Sequence, residues 1–216
     1  MFISNSKEER GCQVILSFFI LSATLEVCYT FTIMDKGAGM MKVDEVANLL
    51  RHYRHDWMNQ LQLVHGYASM DKMEKVKEKL QEIIDFSREE SKLMNLKAPH
   101  FAVWMVRFNA EYNQLRMSFQ IDTQADFSAF DQSLVQTCLA IIQHLEEFTN
   151  PLQLYECMIF IWGEEHPQLR MHIDGQVSND GQFMSRIDKL QYVKNLNRHE
   201  EEQHASYEIY LDMKER

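Results

Sequence analysis

Glycine and proline are scarce in this chain, 7 and 3 among 216 residues, which excludes collagen-like repeats and Pro/Gly-rich low-complexity sequence. Positive charge is the minority sign. The 22 Lys and Arg stand against 32 Asp and Glu, a net −10, and no long basic run occurs. A surface that neutralises many phosphates is therefore not expected, and nucleic acid is not an expected partner. The four cysteines, Cys12, Cys28, Cys138 and Cys157, are far apart, with no CxxC and no histidine at ligand spacing. Neither a disulfide framework nor a zinc site is indicated, and a reducing cytoplasm is the expected compartment. What is present is ordinary globular material, 45% hydrophobic and 25% charged, so the chain folds, and its length suits two small domains.

The one long apolar run is Val14 to Met34, VILSFFILSATLEVCYTFTIM, about the length that spans a bilayer. Its Ser/Thr content is high, and Glu26 sits near mid-span, where a carboxylate is costly. Residues 1–40 thus read as an apolar extension with three explanations: a mis-called start, a membrane anchor or a signal peptide. The codons for Lys36-Gly37-Ala38 can contain a bacterial ribosome-binding sequence just upstream of Met40 and Met41, which favours a start at one of those methionines. A membrane is a partner only if residues 14–34 are a genuine anchor.

From Val43 to Ser69 there is no proline, and apolar or aromatic residues recur in steps of three and four at Val46, Leu50, Tyr53, Trp57, Leu61, Val64 and Ala68. A long amphipathic helix is expected. After a break at Met70-Asp71-Lys72, the residues Met73, Val76, Leu80, Ile83 and Met94 continue such a spacing, with helix-forming charges between them. The two predict an antiparallel helical hairpin over residues 41–97. Their apolar stripes are narrow, and two helices cannot enclose a core, so a homodimeric four-helix bundle is expected; packing on the chain's own C-terminal half is the alternative.

His55 lies two positions from both Tyr53 and Trp57, which turns its ring about 200° away from the stripe and toward solvent. An exposed histidine followed by an acid, with Asn59 four residues on, resembles the phosphoacceptor helix of histidine kinases and histidine phosphotransfer proteins. RHDWMNQLQLVHG and the later ESKLMNLKAPH, taken together, resemble the sporulation initiation phosphotransferase B family of spore-forming bacilli, most strongly from about Leu49 to Phe101. Residues 1 to about 40 have no counterpart in that family.

That resemblance implies a phosphorelay: His55 accepts a phosphoryl group from an aspartate on one response regulator and passes it to an aspartate on a second, transcription-controlling regulator. An imidazole suits the task, since one nitrogen can attack phosphorus while the other is held by a neighbour. Loose in-line transfer needs mainly positioning and charge neutralisation. The resemblance places the divalent cation, Mg2+, in the regulator's acidic pocket, so this chain is expected to need no cofactor or metal of its own. Within it Arg54 is expected to offset charge on the transferring group, Asp56 to orient the ring and Asn59 to bond near the phosphoryl oxygens. Met58, Gln62, Leu63, Gly66 and Tyr67 are expected to form the face on which a regulator docks. His65 stands where the familiar family form has a lysine, which leaves its role open.

Pro99 marks a boundary, and residues 98–216 form a second expected domain. A helix is expected over Phe101 to Leu115, a strand over Met117 to Thr123, and a helix over Ser128 to Phe148 opened by an Asp/Ser cap region. Strands over Leu154 to Trp162 and Gln168 to Asp174 flank a Glu164–Pro167 turn. A short helix over Gln182 to Ile187 and strands near Leu190 to Leu196 and Ser206 to Asp212 complete the chain. The fold class is α+β: a dimerising helical hairpin followed by an α/β sandwich whose order of elements resembles the ATP-binding domain of histidine kinases.

That resemblance is degenerate, because a nucleotide site of the class needs closely spaced glycines and a metal-holding Asn on its first long helix. Beyond residue 40 only Gly66, Gly163, Gly175 and Gly181 occur, none spaced as GxG, and His144 stands about where that Asn would be. Asp174-Gly175 is a remnant or simply a turn. An ATP-dependent kinase is therefore not expected. The alternatives to a phosphotransferase are a non-catalytic dimeric scaffold that binds a regulator, and a membrane-tethered relic of a histidine kinase.

Overall fold

The computed structural model describes residues 43–164, 168–201 and 204–213. The apolar run at residues 14–34 and most of the Glu164–Pro167 turn lie outside them. Among the described residues no helix is long and apolar enough to cross a membrane.

Helix α1 (Val43–Ser69) and helix α2 (Met73–Asn95) have the expected bounds, joined by a tight turn. The turn closes through Met70 N–H to the Gly66 and Tyr67 carbonyls and Lys72 N–H to the Tyr67 carbonyl, with Asp71 in the left-handed region at φ 55°. A short polar residue is one of the few non-glycines at home there. Helix α3 (Pro99–Glu111) takes Pro99 in its first turn, where a missing N–H costs nothing. It stops four residues short of the expected end. Asn109, still helical, turns its carboxamide onto the backbone of Met117, accepting from its N–H at 2.7 Å and donating to its carbonyl at 2.9 Å. That reciprocal pair mimics a neighbouring strand and starts strand β1 (Leu115–Asp122) earlier than its alternation suggests.

A 3-10 turn (Ser128–Phe130), at whose start Asp126 Oδ1 accepts from the Ser128 N–H at 2.9 Å within the expected Asp/Ser cap region, leads into α4 (Asp131–Phe148). No side chain caps α4. The buried Asp131 carboxylate instead accepts from the backbone N–H groups of His100 at 3.1 Å and Phe101 at 2.8 Å, serving the N-terminus of α3. Strands β2 (Tyr155–Trp162) and β3 (Gln168–Asp174), helix α5 (Asp180–Ile187, capped by the Asn179 side chain), and strands β4 (Val193–Glu201) and β5 (His204–Asp212) follow.

The sheet runs β1-β2-β3-β5-β4, with β1 parallel to β2 and every other pair antiparallel. Alternate residues face the core, as in β3, where Leu169, Met171 and Ile173 are fully buried. Register aligns Phe119, Ile159, Met171 and Ile209 across four strands. These pack against Phe101, Trp104 and Phe108 of α3, and Leu134, Cys138 and Ile141 of α4, in one continuous apolar cluster. The result is the expected α/β sandwich, one helical layer on a mixed sheet.

The chain divides into two compact units meeting between Leu61 and Gln62. The sequence suggests a boundary at residues 97 and 98, but α2 shares its unit with the sheet for a local reason. Glu89 accepts from the Ile121 N–H at 2.8 Å and Lys92 donates to the Ile121 carbonyl at 3.0 Å, while Leu93 and Leu96 enter the apolar cluster.

Candidate phosphoacceptor site

Helix α1 holds its aromatic stripe and its polar face apart. Tyr53 and Trp57, one turn apart and half-buried, meet edge to face with ring centroids at 6.4 Å. His55 is on the other side, its side chain 71% exposed. The expected outward orientation is what α1 adopts.

Two neighbours converge on one ring nitrogen. Asp56 Oδ1 and Asn59 Nδ2 each lie 3.3 Å from His55 Nδ1. The two contacts suit different tautomers, because a carboxylate only accepts and an amide N–H only donates. With its proton on Nδ1 the ring donates to Asp56 and leaves the lone pair on Nε2 free. With Nδ1 bare it accepts from Asn59. Both contacts are long and exposed, Asp56 being 72% accessible, so they orient the ring and contribute little to stability.

The helical period also brings Arg51 and His52 near the patch, but each is engaged elsewhere. Arg51 Nη1 donates to Asn48 Oδ1 at 2.6 Å, and His52 Nδ1 lies 2.9 Å from the Asn48 carbonyl. Their partner three and four residues upstream is legible in the sequence once i, i−4 bonding is considered. Arg54 is exposed beside His55.

Met58 and Leu63 are exposed apolar side chains, Gln62 is exposed, and Gly66 is half-buried. A Cβ at Gly66 would meet nothing within 4 Å, so no part of the chain itself approaches that glycine closely. Tyr67 is half-buried, with the Lys75 ammonium 5.8 Å from its ring centroid. His65 is exposed.

Other chemistries find little support in the described residues. Burial pushes the Cys138 and Cys157 thiols up to about 12, which leaves no thiolate nucleophile there. No group of three or more His, Cys, Asp or Glu is placed to hold a metal ion. His144, at the position of interest on α4, lies 3.8 Å from Glu147.

Residues 36–96, the segment that carries this exposed histidine, match the sensor kinase SpoOB-type alpha-helical domain. The resemblance expected from RHDWMNQLQLVHG is thus found. The chain is also 39% identical over 94 residues to sporulation initiation phosphotransferase B of Bacillus subtilis (strain 168), a stretch covering 43% of this chain and 49% of that relative. It therefore spans about half the length of the curated relative it matches.

Among solved structures, the blue-light activated histidine kinase of Erythrobacter litoralis EL346 aligns with a TM-score of 0.37 at 10% identity, covering 82% of this chain and 63% of that one. The catalytic domain of histidine kinase ThkA aligns with a TM-score of 0.33 at 10% identity, covering 56% of this chain and 92% of that one.

Proposed function

We propose that this chain is a phosphorelay phosphotransferase of sporulation initiation. His55 takes a phosphoryl group from the aspartyl phosphate of one response regulator and delivers it to the aspartate of a second, transcription-controlling regulator. One observation carries the reading: His55 stands in solvent with Asp56 and Asn59 at its Nδ1, on a helix within the matched segment. In the first half-reaction the Nε2 lone pair forms an N–P bond as the P–O bond to the donor carboxylate breaks. Asp56 holds the Nδ1 proton and so stabilises the ring as it becomes cationic. The second half-reaction is the reverse, on a different carboxylate. Arg54 offsets charge on the phosphoryl group in flight, and Asn59, released from Nδ1 in that tautomer, can donate to a phosphoryl oxygen.

Regulators dock along the face formed by Met58, Gln62, Leu63 and Gly66, with Tyr67 at its margin. The open space at Gly66 supports close approach by a partner's helix. Mg2+ belongs to the regulator, and the chain works in the cytoplasm. The exposed apolar residues Met73, Leu80 and Ile84 of α2 support a homodimer, since a second copy's helices would cover them. Replacing Leu80 by Glu should then halve the mass seen by sedimentation.

Incubation with a phosphorylated regulator tests the central reading. Acid-labile, base-stable label should appear on the intact chain and not on His55→Ala. A regulator that binds without transferring would make the protein a scaffold instead. Labelled ATP alone should leave His55 unmarked; substantial labelling would make it a kinase.

A further inference from the structure

Strand β1 is an edge strand, with β2 on one side only. Tyr155 N–H donates to the Gln114 carbonyl at 2.8 Å, which fixes the phase of the parallel ladder. Even-numbered residues of β1 bond to β2, and the backbone of the odd-numbered ones faces outward. Unpaired edge groups are usually blunted. Here two of the outward rungs are closed by side chains that imitate a strand. Asn109 takes both groups of Met117, while Glu89 and Lys92 take both groups of Ile121. Between them lies Phe119, whose outward N–H and carbonyl receive no such side-chain pair among the described residues. A groove of about 470 Å3 opens at this rung, lined by Phe86, Arg88 and Glu89 of α2 and by Met117, Ser118 and Phe119 of β1. Its apolar wall is Phe86, 52% exposed, with its ring 6.2 Å from that of Phe119.

We propose that this groove binds one short segment of extended, uncharged polypeptide, paired to β1 at Phe119. Both groups of one edge residue are complemented by the N–H and carbonyl of a residue in an extended chain, whereas a carboxylate can only accept. The rim selects against charge. Asp85 pairs with Arg88 at 3.1 Å and Glu89 with Lys92 at 2.7 Å, so the acids and bases cancel and none is left to hold a phosphate or an acidic peptide. The Asn109 and Glu89–Lys92 clamps limit the added strand to a residue or two, and the Phe86 ring supplies a seat for one apolar side chain. The site is independent of His55 and of the transfer reaction.

Backbone hydrogen exchange on the full chain tests the rung directly. The Phe119 amide should exchange at least tenfold faster than those of Met117 and Ile121. Equal protection of all three would overturn the proposal, as would protection of Phe119 that disappears on dilution, which would assign the edge to a second copy. The probe is a capped Thr-Thr-Val-Thr-Thr peptide at millimolar concentration. It should slow Phe119 exchange about tenfold and shift the Phe86 resonances, while the same peptide N-methylated at the central valine should not. Equal binding of the methylated peptide, or no response at Phe119, would refute strand pairing. Phe86→Ser, a change at an exposed ring that leaves the fold intact, should weaken peptide binding and leave phosphotransfer unchanged.

Discussion

The segment around His55 and the sheet unit spend their side chains in opposite ways. On α1 the side chains of Arg51, His52, His55, Asp56 and Asn59 are exposed, and the bonds described above run to neighbours within four positions along the same helix. In the sheet unit the equivalent bonds join residues far apart in sequence, such as Asp131 to Phe101, Thr123 to the Gly163 carbonyl, and Tyr155 to the Gln176 carbonyl. Local bonds in solvent add little to stability and leave a ring free to be engaged from outside. Long-range buried bonds fix an architecture and offer nothing to a partner. Chemistry and stability are thus separable, and substitutions should sort by region.

The strongest test is His55→Ala, which should abolish phosphotransfer while shifting unfolding free energy by no more than about 0.5 kcal/mol, measured by urea titration. A loss of stability larger than that would break the contrast. Next is Gly175→Ala. Gly175 has φ 138°, and a Cβ there would collide with the Tyr155 ring at Cδ1, so a loss of about 3 kcal/mol is expected by the same titration. Asp131→Ala, which orphans two N–H groups of α3 and the His100 ring, should cost about 2 kcal/mol and leave regulator-dependent labelling of the folded fraction unchanged.

Asp56→Ala and Asn59→Ala should each slow transfer roughly tenfold, about 1.4 kcal/mol of barrier, with unfolding unaltered. Rapid-quench phosphotransfer measures this, and a rate equal to the intact chain would remove either residue from the site. The smallest effect concerns acid. Hydrogen bonds from Lys97 and then from Ser128 hold the Asp126 carboxyl well below the usual carboxylate range. A depressed folded-state value contributes stability above the unfolded value and loses it as pH falls through the folded one. Asp126→Asn should therefore lower stability slightly at neutrality and flatten the profile below about pH 4, where the intact chain loses that contribution.

The helices were legible because long runs without proline, with apolar residues at three and four, admit one regular structure. The exposure of His55 followed from the same period. Strand positions followed from alternation, as in Gln168–Asp174, whose bounds match. What failed to show were the places where a side chain substitutes for backbone. Asn109 ends α3 and begins β1 by bonding Met117, and Asp131 caps a helix thirty positions upstream instead of its own. Neither follows from neighbours in sequence, since both depend on which elements the fold brings side by side. The pairing of Asp56 and Asn59 at one nitrogen was half legible: spacing placed both near His55, and only rotamers bring them to the same atom.

Gly175 is required from behind. The Tyr155 ring fills the volume a larger residue would need, and its hydroxyl accepts from Asn150 N–H at 2.9 Å while donating to the Gln176 carbonyl at 2.6 Å. A search keyed to Asp-Gly pairs would therefore score this turn as a vestige of nucleotide recognition, when packing inside the unit is reason enough for the residue to be there. Deciding between a ligand cradle and a crowded interior calls for asking what occupies the missing methyl's place.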